Sequence, residues 1–394
     1  MIFTGFYRRR RLPVLLLALI FILVGEPADA GPEKDPLQAG ASLGLSGKYA
    51  TMAHDQKRAL RLWEAEINAT GGLLGREVRL TIHDDHSDPQ RAQDIYQRMF
   101  AEDGVELFFA PFSSEITGKV LPLFEQHRFP LLASGAVADE LWQQEAQYIF
   151  GIFTTADKIP ANFMEMLFVH GVDGLALLHS ADPFSRAAAE GVRKRAGWLG
   201  LELQLDAKFS DPENDFTALL TEARDLGSEV VIMAGHLEES IALRRAMLAM
   251  EWTPRVYYSP QGPANPSFIE RLGPGAEGVF GTEQWQHLGG IETPETEAFL
   301  AAYRQKFARE ASYFSVAAYS AAQIMTKAIR RAGTLEGEKL RIVLTELDAT
   351  CLTGRFRVDA WGRQIRNFSL VTQWQDGRQE VVWPRNLMTA EPRL

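Results

Sequence analysis

The sequence predicts an α/β fold of two lobes, each built on a parallel sheet, and three observations lead there. Short apolar runs alternate with helical stretches of about 10 to 15 residues, the pattern of strands buried under helices on both faces. This alternation runs through the chain in two successive series. The length of 394 residues suits two domains of ordinary size, and 46% apolar against 23% charged residues is the composition of a folded globular chain.

Taken in order, the chain opens on a targeting segment. Arg8 to Arg11 form a cationic block, Leu12 to Val24 an apolar run of thirteen residues broken only by Pro13, and Ala28-Asp29-Ala30 places small residues at a cleavage spacing. This is the three-part form of a secretory signal peptide. As helix, the run would reach only about 20 Å, against a hydrocarbon core of about 30 Å. No cysteine follows it, so no lipid anchor is expected. Cleavage after Ala30 removes four Arg and two acids, taking the net charge from −10 to −12. The mature chain is expected to begin at or near Gly31, soluble and periplasmic.

After a linker from Gly31 to Pro36, Leu37 to Leu45 reads as a strand ending in the turn Gly44-Leu45-Ser46-Gly47. Ala59, Leu62, Trp63 and Ile67 share one face of the next helix, which Gly71-Gly72 stops. Val78, Leu80 and Ile82 alternate with polar residues as a strand does. Asp88-Pro89 starts a helix, with the acid as cap and Pro where its missing N–H costs nothing. That helix buries Ala92, Ile95, Tyr96, Met99 and Phe100. Strand Val105 to Ala110, a helix from about Thr117, and strands Phe129 to Ser134 and Tyr148 to Phe153 complete the first series. The second has strands at Leu175 to His179, Leu201 to Phe209, Val230 to Ala234 and Arg255 to Ser259. The tail departs from alternation, with strands at Gly354 to Asp359, Arg366 to Trp374 and Arg378 to Trp383 and turns at Gly362 and Asp376-Gly377.

Composition then narrows the function classes. A net charge of −10 offers no basic surface for nucleic acid, and the lone Cys351 can neither close an intrachain disulfide nor complete a cysteine zinc site. No phosphate loop of the G-x-x-x-x-G-K-[ST] or G-x-G-x-x-G type occurs, and no cofactor is called for. Gly44-Leu45-Ser46-Gly47-Lys48 and Ala133-Ser134-Gly135 both miss the nucleophile elbow, so a hydrolase is a remote reading. His83, Asp84, Asp85, His86 and Asp88 are the densest candidate metal ligands, but they sit where a strand passes into a helix, where acids cap free N–H groups. No metal is expected. The most specific polar feature is Ala110-Pro111-Phe112-Ser113-Ser114, leaving a strand and entering a helix. Free N–H groups and hydroxyls there suit an anion, and serve equally as a plain cap.

Several motifs in register change the balance. Leu45-Ser46-Gly47, Glu66-Ile67-Asn68, Gly71-Gly72-Leu73-Leu74-Gly75-Arg76, Asp84-Asp85 and Asp88-Pro89 resemble the first lobe of type I periplasmic binding proteins, nearest to the branched-chain amino acid binding branch of ABC importers. Ala110-Pro111-x-Ser113-Ser114, Ala136-x-Ala138-Asp139-Glu140-Leu141 and Gln261-Gly262-x-Ala264-Asn265 keep the same order, and the resemblance runs from about Leu37 to about Asp376. It implies two Rossmann-like lobes joined by a three-strand hinge and closing on a ligand. The lobes would be 37–154 with 285–352, and 155–284 with 353–385, crossing near Phe153 to Asp157, Glu283 to Trp285 and Leu352 to Gly354.

The resemblance further implies a ligand site of Ser113, Ser114, Gly135, Val137, Met52, Phe184, His236 and Gln261, with Ser114 in the place of a carboxylate-binding serine. Four positions depart from the family. Val137 stands where a hydroxyl is common, Phe184 lacks a phenol oxygen, His236 replaces a tyrosine, and Gln261 replaces the acid that holds the ligand's ammonium. Leucine, isoleucine and valine are therefore expected to bind poorly, and a neutral amide or a carboxylate without a free α-ammonium to bind better. Glu238, Glu239 and Glu283 are the nearby acids that would supply the charge otherwise. The expected role is a non-enzymatic exported receptor delivering a small molecule to an ABC permease in the inner membrane. A periplasmic sensor with the same fold is the alternative.

Overall fold

Leu37, Ala39, Ala41 and Leu43 are all buried, as the middle strand of a covered sheet requires, and they define β1 (Leu37–Leu43). The computed structural model describes residues 35–143, 146–209, 216–287 and 293–394, so the targeting segment lies outside the described residues. β1 pairs in parallel with β2 (Val78–Asp84) on one side and β3 (Leu107–Phe109) on the other. α1 (Ala50–Ala69) buries Ala59, Trp63 and Ile67 in the first core, while Leu62 turns to a separate cluster. The helix stops at glycines because Gly72 has φ +75°, and a Cβ there would lie 1.9 Å from the Arg76 carbonyl oxygen.

α2 (Pro89–Ala101) begins as its sequence requires, the Asp88 carboxylate accepting the Arg91 N–H at 2.9 Å. α3 (Ser114–His127) starts three residues before the expected Thr117, because Ser113 accepts the Ile116 N–H at 3.2 Å and caps the helix there. β4 (Leu131–Ala133) and β5 (Ile149–Gly151) form a short parallel pair. A single 3-10 turn at Asp139–Trp142 lies between them, and another at Ala156–Lys158 follows.

The second series builds a separate sheet. It runs through α4 (Ala161–Val169), β6 (Leu175–His179), α5 (Pro183–Leu199), β7 (Leu203–Lys208), α6 (Thr217–Asp225), β8 (Val230–Ala234), α7 (Leu237–Ala249), β9 (Val256–Tyr258), α8 (Pro266–Leu272) and β10 (Phe280–Glu283). Three helices follow, α9 (Thr296–Phe307), α10 (Tyr313–Ala332) and α11 (Gly337–Glu346), then the ribbon β11 (Ala349–Cys351) with β12 (Gly354–Phe356). The hairpin of β13 (Leu370–Gln375) and β14 (Arg378–Trp383) ends the fold.

The larger sheet has seven strands in the order β14-β13-β10-β9-β8-β6-β7. Its two faces are read directly from alternation: Leu175 and Leu177 of β6 enter one core, Ala176 and Leu178 the other. The tail, which departs from alternation in the sequence, joins this sheet in the opposite sense. β13 runs antiparallel to β10, and β14 runs antiparallel to β13 because Asp376 and Gly377, at φ +52° and +73°, make the two-residue turn between them.

α10 and α11 pack with β1–β3 in the first core, together with Cys351, Phe356 and Val358. The chain therefore passes between the two sheets three times, after β5, after β10 and after β12. These passages are bonded to one another: Gln284 Oε1 accepts the Thr154 N–H at 2.7 Å, and the Asn367 amide donates to the carbonyls of Gln284 at 3.2 Å and Thr353 at 3.5 Å.

Candidate ligand-binding site

Ser113, Ser114, Gly135, Val137, Phe184, His236 and Gln261, from both sheets, line one cavity. It lies beyond the carboxyl ends of β3, β4, β8 and β9, where open α/β sheets bind ligands. Met52 does not line it; its side chain is buried behind the wall, with Sδ accepting the Asn265 amide at 3.2 Å. The remaining lining is apolar: Phe112, Phe153, Ile159, Pro260 and Tyr313. The space open to water centres is about 20 Å³, far below the ~300 Å³ of an ordinary ligand pocket. Entry of a ligand therefore requires the walls to part.

Ser114 is the best-defined polar group. Its Oγ accepts the N–H groups of Val137 at 3.1 Å and Ala138 at 3.0 Å, so both lone pairs are used and the O–H alone is left to donate. Ser113 before it has φ +81° and ψ +148°, a conformation that non-glycine residues adopt only under constraint. The constraint is visible in two bonds, its hydroxyl capping Ile116 and its N–H donating to the Gly135 carbonyl at 3.1 Å. Gly135 itself is required by space, since a Cβ there would lie 2.5 Å from the Phe112 ring.

On the opposite wall His236 Nδ1 lies 2.5 Å from Gln261 Oε1, and Nε2 lies 3.2 Å from Asp182 Oδ1. The second contact is an ion-pair distance rather than a well-aligned hydrogen bond. The ring packs between Phe184, at 5.3 Å, and Tyr49, at 5.6 Å. Burial alone would lower the imidazole pKa, but the Asp182 carboxylate outweighs it and holds the pKa above the usual value. Burial likewise opposes ionisation of Asp182, yet His236 and the hydroxyls of Ser180 and Ser185 keep that carboxyl far below the usual range. The raised pKa favours the protonated ring more than in a free histidine, with Nδ1 facing an amide oxygen and Nε2 a carboxylate.

The neighbouring acids are all engaged or neutral. Glu238 is exposed and bonded to Arg271 at 2.5 and 2.8 Å. Glu239 accepts the His236 N–H at 3.2 Å. Glu283 is buried, and burial pushes its pKa up to about 8, so it is neutral at pH 7. The carboxylates of the His83–Asp88 cluster close the loop before α2: Asp84 accepts N–H groups of Ser46 and His86, and Asp85 accepts the Ser42 hydroxyl at 2.7 Å and the Ser87 N–H at 2.9 Å.

Asp182 and Tyr49 were not among the sequence-named positions. Asp182-Pro183 repeats the Asp88-Pro89 helix start and was readable as a cap, but nothing in sequence joins it to His236, fifty-four positions on. Phe153 enters the cavity from the first passage between sheets and Tyr313 from the start of α10, neither of them within a motif.

Comparisons with known proteins place the family and the fold. Residues 36–379 match the family model described as periplasmic binding protein, and the chain belongs to that family, with the type I fold of its branched-chain amino acid branch. It is 24% identical over 376 residues to Leu/Ile/Val-binding protein homolog 8 of Brucella abortus, covering 90% of this chain and 92% of that one. Among solved structures, the leucine binding protein LivK of Thermotoga maritima superposes with a TM-score of 0.81 at 18% identity, covering 88% of this chain and 97% of that one. A solute binding protein of an ABC transporter from R. palustris, solved with benzoate, superposes with a TM-score of 0.77 at 16% identity, covering 91% and 99%. The chain is accordingly a binding protein and not an enzyme.

Proposed function

We propose that this chain is an exported receptor of an ABC uptake system, capturing a small carboxylate or amide that lacks a free α-ammonium. Two lobes, 37–154 with 285–352 and 155–284 with 353–385, close over the ligand and present it to a permease in the inner membrane. The last boundary moves from 352 to beyond Val358, since Cys351, Phe356 and Val358 pack in the core of the first lobe. Gln261 carries the ligand reading. Where an amino acid receptor of this family places a carboxylate, this chain has an amide already bonded to His236. Among the described residues no ionised, unengaged carboxylate stands at the cavity to offset a buried ammonium. The Ser114 O–H instead suits an acceptor on the ligand, and Phe112, Phe153, Phe184 and Tyr313 suit an apolar body.

The fold leaves the ligand open, since one neighbour is described as a leucine binding protein and another holds benzoate. A thermal-shift panel decides between them. A ligand at 100 times its Kd adds about 2.7 kcal/mol of stability. Benzoate-like acids, aliphatic carboxylates and their amides are expected to raise Tm, with leucine, isoleucine and valine giving little. A large shift with the amino acids and none with their des-amino analogues overturns the reading.

A further inference from the structure

The second-lobe wall of the cavity is built around one imidazole with two unlike neighbours. His236 Nδ1 lies 2.5 Å from Gln261 Oε1, and Nε2 lies 3.2 Å from Asp182 Oδ1. The loops that carry His236 and Gln261 are fixed to the same helix. Ser240 of α7 donates to the His236 carbonyl at 2.6 Å, and its oxygen lies 2.6 Å from Ser259 Oγ, two residues before Gln261. Gly262 closes so tightly on that serine that a Cβ would lie 2.4 Å from it. Asp182 is held by the Ser180 and Ser185 hydroxyls, at 2.5 and 2.6 Å, and by the Ser185 N–H at 3.1 Å. By contrast, the Gln261 amide is bonded at one end alone. Among the described residues its Nε2 has no hydrogen-bond partner, and the residue lines the cavity.

We propose that His236 switches ligand selectivity: its protonation state decides whether Gln261 presents its N–H groups or its carbonyl oxygen to the ligand, with Asp182 positioning the ring proton. When both ring nitrogens are protonated, Nδ1–H donates to Gln261 Oε1, and the amide N–H groups are left to face the ligand. The neutral ring keeps one proton, and the Asp182 carboxylate beside Nε2 draws it there. Nδ1 then carries a lone pair, which repels a carbonyl oxygen 2.5 Å away. A half-turn of the amide restores the bond, with Gln261 Nε2–H donating to Nδ1 and the carbonyl oxygen turned toward the ligand. The protonated state therefore takes an oxygen of the ligand at Gln261, and the neutral state takes an N–H or ammonium group.

The charged groups facing the imidazole come from three elements. Asp182 heads α5, Glu239 of α7 accepts the His236 N–H at 3.2 Å, and Lys48 precedes α1, 5.1 Å from the Tyr49 ring. Burial and Lys48 oppose the protonated ring, Asp182 and Glu239 favour it, and the balance raises its pKa above the usual ~6.5. As pH rises through the raised value, a ligand that offers Gln261 an oxygen should lose affinity, and one that offers an ammonium should gain it.

The proposal rests on the reading that the ligand lies against Gln261, and its test has arms with and without ligand. Without ligand, nitrogen-15 NMR on histidine- and glutamine-labelled protein, between about pH 5 and about pH 10, follows both side chains. The Gln261 amide should shift at the same midpoint as His236, with Nδ1 the nitrogen that loses its proton. In Asp182→Asn, which keeps the cap and removes the charge, both midpoints should move together to lower pH. An amide that does not follow the ring, a neutral ring protonated at Nδ1, or midpoints unmoved in the variant overturns the proposal. With ligand, calorimetric titration compares leucine with its α-keto acid, in which a carbonyl oxygen replaces the ammonium. The ratio of keto-acid to leucine affinity should fall roughly 5- to 150-fold from below the midpoint to above it, the range for mispairing one buried polar group. In Gln261→Glu, whose two oxygens both accept, leucine should be preferred at either pH. A ratio constant with pH in the wild type, or one that still reverses in Gln261→Glu, overturns the proposal. If neither probe binds while ring and amide titrate together, the switch stands and the ligand class alone is withdrawn.

Discussion

Single atoms at Ser114 decide how the cavity meets an acceptor. Its oxygen is filled by two N–H groups of the 137–138 loop, so Ser114→Ala removes one donor to the ligand and leaves two buried N–H groups without an acceptor. Binding of whichever acid scores in the thermal panel should weaken by about 0.5–3 kcal/mol, the range for a hydrogen bond to a neutral or charged partner. Stability should also fall, by about 1–3 kcal/mol for the unpaired donors. Calorimetric titration beside urea unfolding separates the two effects. Unchanged affinity in a folded variant excludes Ser114 from contact. The hydroxyl was readable in sequence as cap or anion site; the structure divides those roles, Ser113 capping the helix and Ser114 supporting the loop.

At the level of elements, the start of α5 does two jobs with one residue. Asp182 accepts the Ser185 N–H at 3.1 Å as a helix cap and lies beside the His236 ring at the head of α7. Asp182→Asn keeps the cap and removes the charge, which tests the ion pair alone. Breaking a buried pair costs about 3–5 kcal/mol, but the imidazole can shed its proton, so about 1–3 kcal/mol is expected at pH 6. Because the folded pKa of His236 is raised, its contribution is complete below the unfolded value of ~6.5 and is lost as pH rises through the folded value. The depressed Asp182 contributes fully above ~3.9 and loses its contribution as the solution is acidified. The gap between wild type and variant in urea unfolding should therefore be larger at pH 6 than at pH 9. An equal gap at both would mean that His236 is neutral in the folded protein. Helix starts of the Asp-Pro type were readable because capping is local; the partnership with α7 was not, because it needs two strands to lie side by side.

At the scale of the whole chain, the segment before the fold carries the prediction of where the protein works. Arg8 to Arg11, the thirteen-residue apolar run and Ala28-Asp29-Ala30 predict export with cleavage near Ala30. Intact-mass measurement of protein from a periplasmic extract should give a chain beginning at or near Gly31. Recovery of the Met1 form in the membrane fraction would refute it. Among the described residues no helix is long and apolar enough to cross a membrane.

Strand and helix order, the caps at Asp88 and Asp182, the glycine stop after α1 and the family pattern are properties of neighbouring residues, so the sequence alone determined them. Periodicity and capping act over a few residues and survive without knowledge of the fold. The pairing of the tail hairpin with β10, the displacement of Met52 from the cavity wall, and the pairing of His236 with both Gln261 and Asp182 were decided only in three dimensions. Each depends on which segments, 25 to 213 residues apart, are brought into contact and how much water is removed from between them. Desolvation raises the pKa of Glu283, and Asp182 raises that of His236 against it; both are properties of the surroundings rather than of the residue.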